Sequence, residues 1–295
     1  MGFKRMAILT IVIFLFTGGD TFALDWRRLH AQADKNTLEQ IKADLGDNPS
    51  SVESSYTLAL IYLNLHRDQE AEDTFRKISG LRPQLTEAKW GLAEVARRKH
   101  RHDASQKALN EIIQSDPGFY PAYISLAYLK YSLRDFQGAL ELSNKIIKQG
   151  QGVDLSNRTR AYLISSGAKG MLAYYGGILS KLVHGTVILR NLRIAEKLSP
   201  GSAEVQFGLG SFYLLAPPIA GGSLNKAQAH LEAAIKADPF LADAHVRLAQ
   251  VYKLKGDRPK YDMYLNQALS IDPGNELALD NKQGLCNFIC PGGMN

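Results

Sequence analysis

Two cysteines in 295 residues are too few to staple a fold, which excludes a disulfide-dense scaffold. After the first sixteen residues no apolar run is long enough to cross a bilayer as a helix, a task that takes about 20 residues. Also missing are a Gly-x-Ser-x-Gly elbow, a phosphate-binding loop and a His-Glu-x-x-His zinc helix. The seven histidines are scattered. Only His100 and His102 are close, and an exposed pair in a basic turn is preferred to a metal site there, since the nearest carboxylate in sequence is Asp103. The chain therefore reads as a non-enzyme with no catalytic residue, no cofactor and no metal-ligand set.

What is present is ordinary globular usage, 45% hydrophobic and 22% charged, which excludes a disordered or collagen-like chain. The net charge of +6 points to no partner class, because Lys and Arg are interleaved with Asp and Glu. The densest basic run, Arg97 to His102, reads as a solvated turn rather than a phosphate-binding patch, and no nucleic-acid partner is expected. Lys4 and Arg5 precede an apolar run from Ala7 to Phe16, and Thr21 and Ala23 suit signal peptidase. Residues 1–23 are thus expected to be a cleaved signal peptide. The product would be exported to the periplasm, and it would be neither integral to the membrane nor anchored through a lipoprotein cysteine.

The chain repeats itself. Pro49, Pro83 and Pro117 are 34 residues apart, and so are Pro239 and Pro273. A period of 34 built of paired helices resembles the tetratricopeptide family. Its residues recur as Leu58, Ala59, Tyr62, Ala71, Phe75 and Pro83, then Trp90, Leu92, Ala93 and Pro117. They return as Tyr123, Leu126, Ala127 and Ala139, and again as Leu248, Ala249, Tyr252, Ala268 and Pro273. The resemblance implies an all-α, right-handed tetratricopeptide solenoid of five helical pairs with N- and C-terminal capping helices. The expected layout is a capping helix in 24–51, three regular units in 52–153 and an enlarged unit in 154–202. Two further units follow in 203–275, the first with an insertion, and then a capping helix with a cysteine-containing tail in 276–295.

The enlarged unit should fold as helices near 158–174 and 178–198, broken at Gly176-Gly177. The insertion in the next unit falls at Pro217-Pro218-Ile219-Ala220-Gly221-Gly222. Both lie between first and second helices, so Tyr174, Tyr175, Gly176 and Gly177 should neighbour Pro217, Pro218, Ile219, Gly221 and Gly222 along one edge. That edge either covers the solenoid or meets a partner.

Family resemblance also implies a concave groove lined by first helices. It would comprise Tyr56, Leu60 and Leu63; Trp90, Glu94 and Arg97; Ile124, Tyr128 and Tyr131; and Phe207 and Leu214. The groove is aromatic and aliphatic, which suits a protein or peptide partner, or a small apolar ligand. A narrower resemblance, in Gly221-Gly222-Ser223 through Lys226-Ala227, His230, Glu232 and Ala234, is to the T component of tripartite ATP-independent (TRAP) transporters. It implies the alternative role of a periplasmic ligand-binding accessory. Cys286 and Cys290 could pair if the last helical turn unwinds before Pro291, or remain reduced under the cap.

Overall fold

The computed structural model describes residues 24–289 and Pro291, so the expected signal segment 1–23 and Cys290 lie outside it. The described residues form fifteen α-helices and two short 3-10 turns, with no strand. Helices α1 (Trp26–Ala33) and α2 (Leu38–Asp47) precede the repeats. The span expected to hold one capping helix thus holds two. The first ends at Ala33 with Asp34 as its C-cap, and Thr37 starts the second through a capping box with Gln40, which satisfies amides that a continuous helix would have bonded internally.

The repeats follow as α3 (Val52–Asn64) with α4 (Asp68–Leu81), α5 (Thr86–Arg98) with α6 (His102–Ser115), and α7 (Tyr120–Ser132) with α8 (Phe136–Lys148). Then come α9 (Leu155–Tyr175) with α10 (Ile178–Leu198), α11 (Ala203–Leu215) with α12 (Leu224–Ala237), and α13 (Ala242–Leu254) with α14 (Arg258–Ile271). These are six pairs, one for each unit of the expected layout and one more than the expected count of five. The alanines that recur in the repeat are all buried, and Phe75 fills the space over Gly91, where a Cβ would overlap its ring.

Three of the linkers between units carry Asp-Pro. In each the aspartate caps the backbone two residues on, at Gly118, Phe240 and Gly274, and the proline ends the preceding helix. In the first, second, third and sixth pairs the chain turns between the helices through one left-handed residue: His66, His100, Arg134 or Gly256. Only the last is glycine, the residue for which that conformation is cheapest.

Within the expected cap and tail at 276–295, helix α15 (Glu276–Gln283) ends at a left-handed Gly284. The chain beyond it folds back instead of facing solvent. Asp280 accepts the amides of Asn287 and Phe288, and Arg247 donates to the carbonyls of Phe288 and Ile289 at 2.8 and 2.9 Å. Phe288 is buried in a core cluster shared by α7, α8, α9, α13, α14 and α15. Cys286 is disulfide-bonded and its φ is 57°.

That cluster joins the third unit to the sixth, so the solenoid closes on itself. The turns of the first three units reach the last elements of the chain. His66 meets Asp238, His100 meets Asp272 and Glu276, and Arg134 donates to Asn287.

Candidate functional site

The concave face lies inside this closed turn. Of the expected groove residues, Tyr56, Leu60, Leu63, Trp90, Ile124 and Leu214 are buried, while Glu94, Arg97, Tyr128, Tyr131 and Phe207 are half-buried. Part of the cover is the chain's own. Helix α1 lies over the first units, with His30 hydrogen-bonded to the Tyr56 hydroxyl at 2.9 Å and its ring 5.2 Å from Trp90. Trp26 packs edge-on against Phe119 and Tyr120. Burial, with Arg160 adding repulsion, lowers the His30 imidazole to about 3, so it sits there neutral. At the other end the tail brings Phe288 to 6.3 Å from Tyr131.

Between these two plugs the face is polar. Arg97 forms a bidentate pair with Glu94 at 2.7 and 3.0 Å and lies 5.6 Å from the Tyr128 ring. Arg160 approaches Glu204 at 3.9 Å. Burial raises Glu94, but the attraction of Arg97 and Arg98 outweighs it and holds the carboxyl at about 2. Burial likewise pushes the Tyr128 and Tyr131 hydroxyls up to about 12. These fixed charges hold one another and present no acid–base pair with separated roles.

The basic run at 97–102 is neutralised by distant acids. Arg98 bonds Asp68, Lys99 and Arg101 share Glu72, and His100 bonds Asp272 and Glu276. The two carboxylates raise the His100 imidazole to about 10. Asp103, the nearest acid in sequence, takes no part in these ion pairs; the partners come from α4, the linker after α14 and α15.

The two glycine-containing edge segments are tied to different parts of the chain. No hydrogen bond or ring contact joins them among the described residues. Tyr175 stacks on Phe136 and its hydroxyl donates to the Asn287 carbonyl at 2.6 Å, tying its segment to the tail. The other segment closes on its own unit through Ser223, whose amide donates to the Tyr213 carbonyl at 2.8 Å. α9 and α10 have 21 residues against 13 in α11, so they project about 12 Å farther at 1.5 Å per residue.

The projecting end forms an apolar crest, of which the sequence pointed only to Tyr174 and Tyr175. Ile178 and Leu179 are each 78% exposed, and Leu182, Val183, Tyr174 and Tyr175 are exposed beside them. A signal was available: residues 155–195 carry six Lys and Arg and no acid. Ile219, at the tip of the insertion, is 100% exposed and covers nothing.

Comparison with known proteins agrees with the fold. A family model for the tetratricopeptide repeat matches residues 52–85, and one for the TRAP transporter T-component matches residues 184–287. No curated protein matches the chain. Among solved structures, the anaphase-promoting-complex heterotetramer Cut9–Hcn1 superposes with a TM-score of 0.56 at 21% identity, covering 88% of this chain and 49% of that one. The chain therefore spans about half the length of that protein. A tetratricopeptide repeat protein from Parabacteroides merdae superposes with a TM-score of 0.51 at 14% identity, covering 86% and 96% of the two chains. The described residues fold as a helical-repeat solenoid that resembles tetratricopeptide-repeat structures, and its C-terminal third resembles the T component of TRAP transporters.

Proposed function

We propose that this chain is an exported, non-catalytic scaffold that holds a protein partner, and that the partner docks on the crest formed by Tyr174, Tyr175, Ile178, Leu179, Leu182 and Val183. The observation that carries this reading is the exposure of four aliphatic side chains on consecutive turns of α10. Such a patch marks an interaction site on a soluble protein. Because α9 and α10 carry bases and no acids up to Glu196, the complementary surface is apolar with an acidic border. The groove serves this partner only through its half-buried middle, Glu94, Arg97, Tyr128 and Phe207, since α1 occupies its first units.

The test is capture from periplasmic extract by the wild type and by Leu179→Asp/Leu182→Asp. Wild type should retain one partner in stoichiometric amount and the variant should lose it with unchanged helical circular dichroism. Equal capture by the variant overturns the reading. So does co-sedimentation of the wild type, and not the variant, with phosphatidylglycerol vesicles in place of a protein. The T-component match at residues 184–287 favours a second reading, an accessory that carries a small apolar ligand. Native mass spectrometry should then show a retained ligand that survives the crest substitutions.

A further inference from the structure

The turn between α5 and α6 meets the start of α15. His100 Nδ1 lies 3.1 Å from Glu276 Oε1, and His102 Nε2 lies 3.4 Å from the same oxygen. One donor atom from each of the three residues lies within 4.8 Å of the others. Donors placed tetrahedrally around zinc at 2.0–2.1 Å stand about 3.3 Å apart, so the two carboxylate edges already have the spacing an ion would impose.

The surroundings fit the same chemistry. The second nitrogen of His100, Nε2, lies 2.9 Å from Asp272 Oδ1, the arrangement in which a carboxylate orients a metal-binding imidazole. Asp272 is itself held by the Gly274 amide at 3.0 Å. Gly274 must lack a side chain, because a Cβ there would press on His100 Cδ2. The left-handed backbone of His100, φ 54°, aims the ring across the closed solenoid. All three residues are half-buried and can be reached from solvent.

We infer that His100 Nδ1, His102 Nε2 and Glu276 Oε1 form a binding site for zinc, with water in the fourth position. Two imidazoles and one carboxylate suit a divalent transition cation rather than magnesium or calcium, which take oxygen ligands. On binding, the proton on His100 Nδ1 leaves to solvent and the Nε2 proton stays on its hydrogen bond to Asp272. The ion ties the second unit to the C-terminal helix, so it staples the turn that closes the solenoid. It stands independently of the crest and of any partner there.

The experiment titrates the untagged chain with zinc chloride in competition with a chromophoric chelator. Wild type should bind one equivalent saturably, and zinc should raise its melting temperature. His102→Ala removes one ligand and leaves the His100 hydrogen bonds to Asp272 and Glu276 intact. It should weaken zinc at least tenfold and abolish the thermal shift without altering the zinc-free melt. Asp272→Asn should weaken zinc by roughly 10–100-fold with stoichiometry kept. His102→Gln serves if the alanine variant does not fold. Absence of saturable binding by wild type, or binding by the His102 variant as tight as wild type, overturns the site and leaves a metal-free contact between His100 and the two carboxylates.

Discussion

His66 Nε2 sits 3.0 Å from Asp238 Oδ2 across 172 residues of chain, and one unit later His100 repeats the contact with Asp272 across the same separation. Both histidines occupy the left-handed turn between first and second helices, and both aspartates begin an Asp-Pro linker. Arg134 is the third such turn residue and donates to Asn287 at 3.0 Å. Gly256, in the last unit, has no later unit to face. A non-glycine residue in this conformation costs about 1–2 kcal/mol. The chain accepts that strain at three turns, each of which carries a side chain that reaches across the closed solenoid.

Replacing those side chains with glycine should therefore separate shape from stability. His66→Gly with Arg134→Gly relieves strain while losing partly exposed contacts worth less than about 1 kcal/mol each. The melting temperature should move by only a few degrees, while small-angle scattering should report a larger radius of gyration. An unchanged radius would show that these contacts do not hold the turn closed.

Acid should release α1. The folded-state value of His30, about 3, lies below its unfolded value of 6.5. The unfolded state then binds the extra proton, so the stability from neutral His30 is complete above about pH 6.5 and is lost as pH falls toward 3. Trp26 and Trp90 flank the ring at 5.8 and 5.2 Å. Their emission should shift red across that window, and His30→Asn should flatten the dependence relative to wild type.

Arg247 is buried and holds the tail by its backbone. Arg247→Ala removes charged donors from the Phe288 and Ile289 carbonyls, a loss of roughly 1.5–3 kcal/mol per hydrogen bond at most. The variant should show protease cleavage between 284 and 289 under conditions that leave wild type intact.

The insertion between α11 and α12 should prove sensitive at its glycines and indifferent at its tip. A Cβ at Gly222 would overlap the Ala216 carbonyl oxygen, so Gly222→Ala should lower the melting temperature by several degrees. Ile219→Asp changes a fully exposed side chain and should stay within about 0.5 kcal/mol of wild type by denaturant titration.

Processing after Ala23 would make Leu24 the first residue. Glu87 is buried, one of its oxygens lacks a partner, and burial pushes its carboxyl up against hydrogen bonds from its own amide and that of Leu24. A new α-ammonium group there would pair with it. Amino-terminal sequencing of the exported chain should begin at Leu24, and Glu87→Gln should destabilise the processed chain more than one extended by two residues.

The second helix of the enlarged unit was legible because its signals are local. Glycines before Ile178 and a proline after Leu198 delimit α10 as the sequence reading placed it. The break at Thr37 was legible only in retrospect, since the capping box with Gln40 competes with an equally amphipathic continuation. The carboxylates facing His100 were not legible at all, because Glu276 is 176 residues away and the reading looked to Asp103.

By itself the sequence determined the helices, their 34-residue period and the residues that pack one unit against the next, because each of these depends on neighbours within about one repeat. Tertiary structure alone decided that α1 fills the first part of the groove, that the tail is buried beside Arg247, and that the crest residues of α9 and α10 are left exposed. It also decided which acids meet His66 and His100. Small rotations between successive units add up along a solenoid, and the two long helices α9 and α10 change their sum. Which distant side chains finally meet is a property of that accumulated curvature, and no single repeat encodes it.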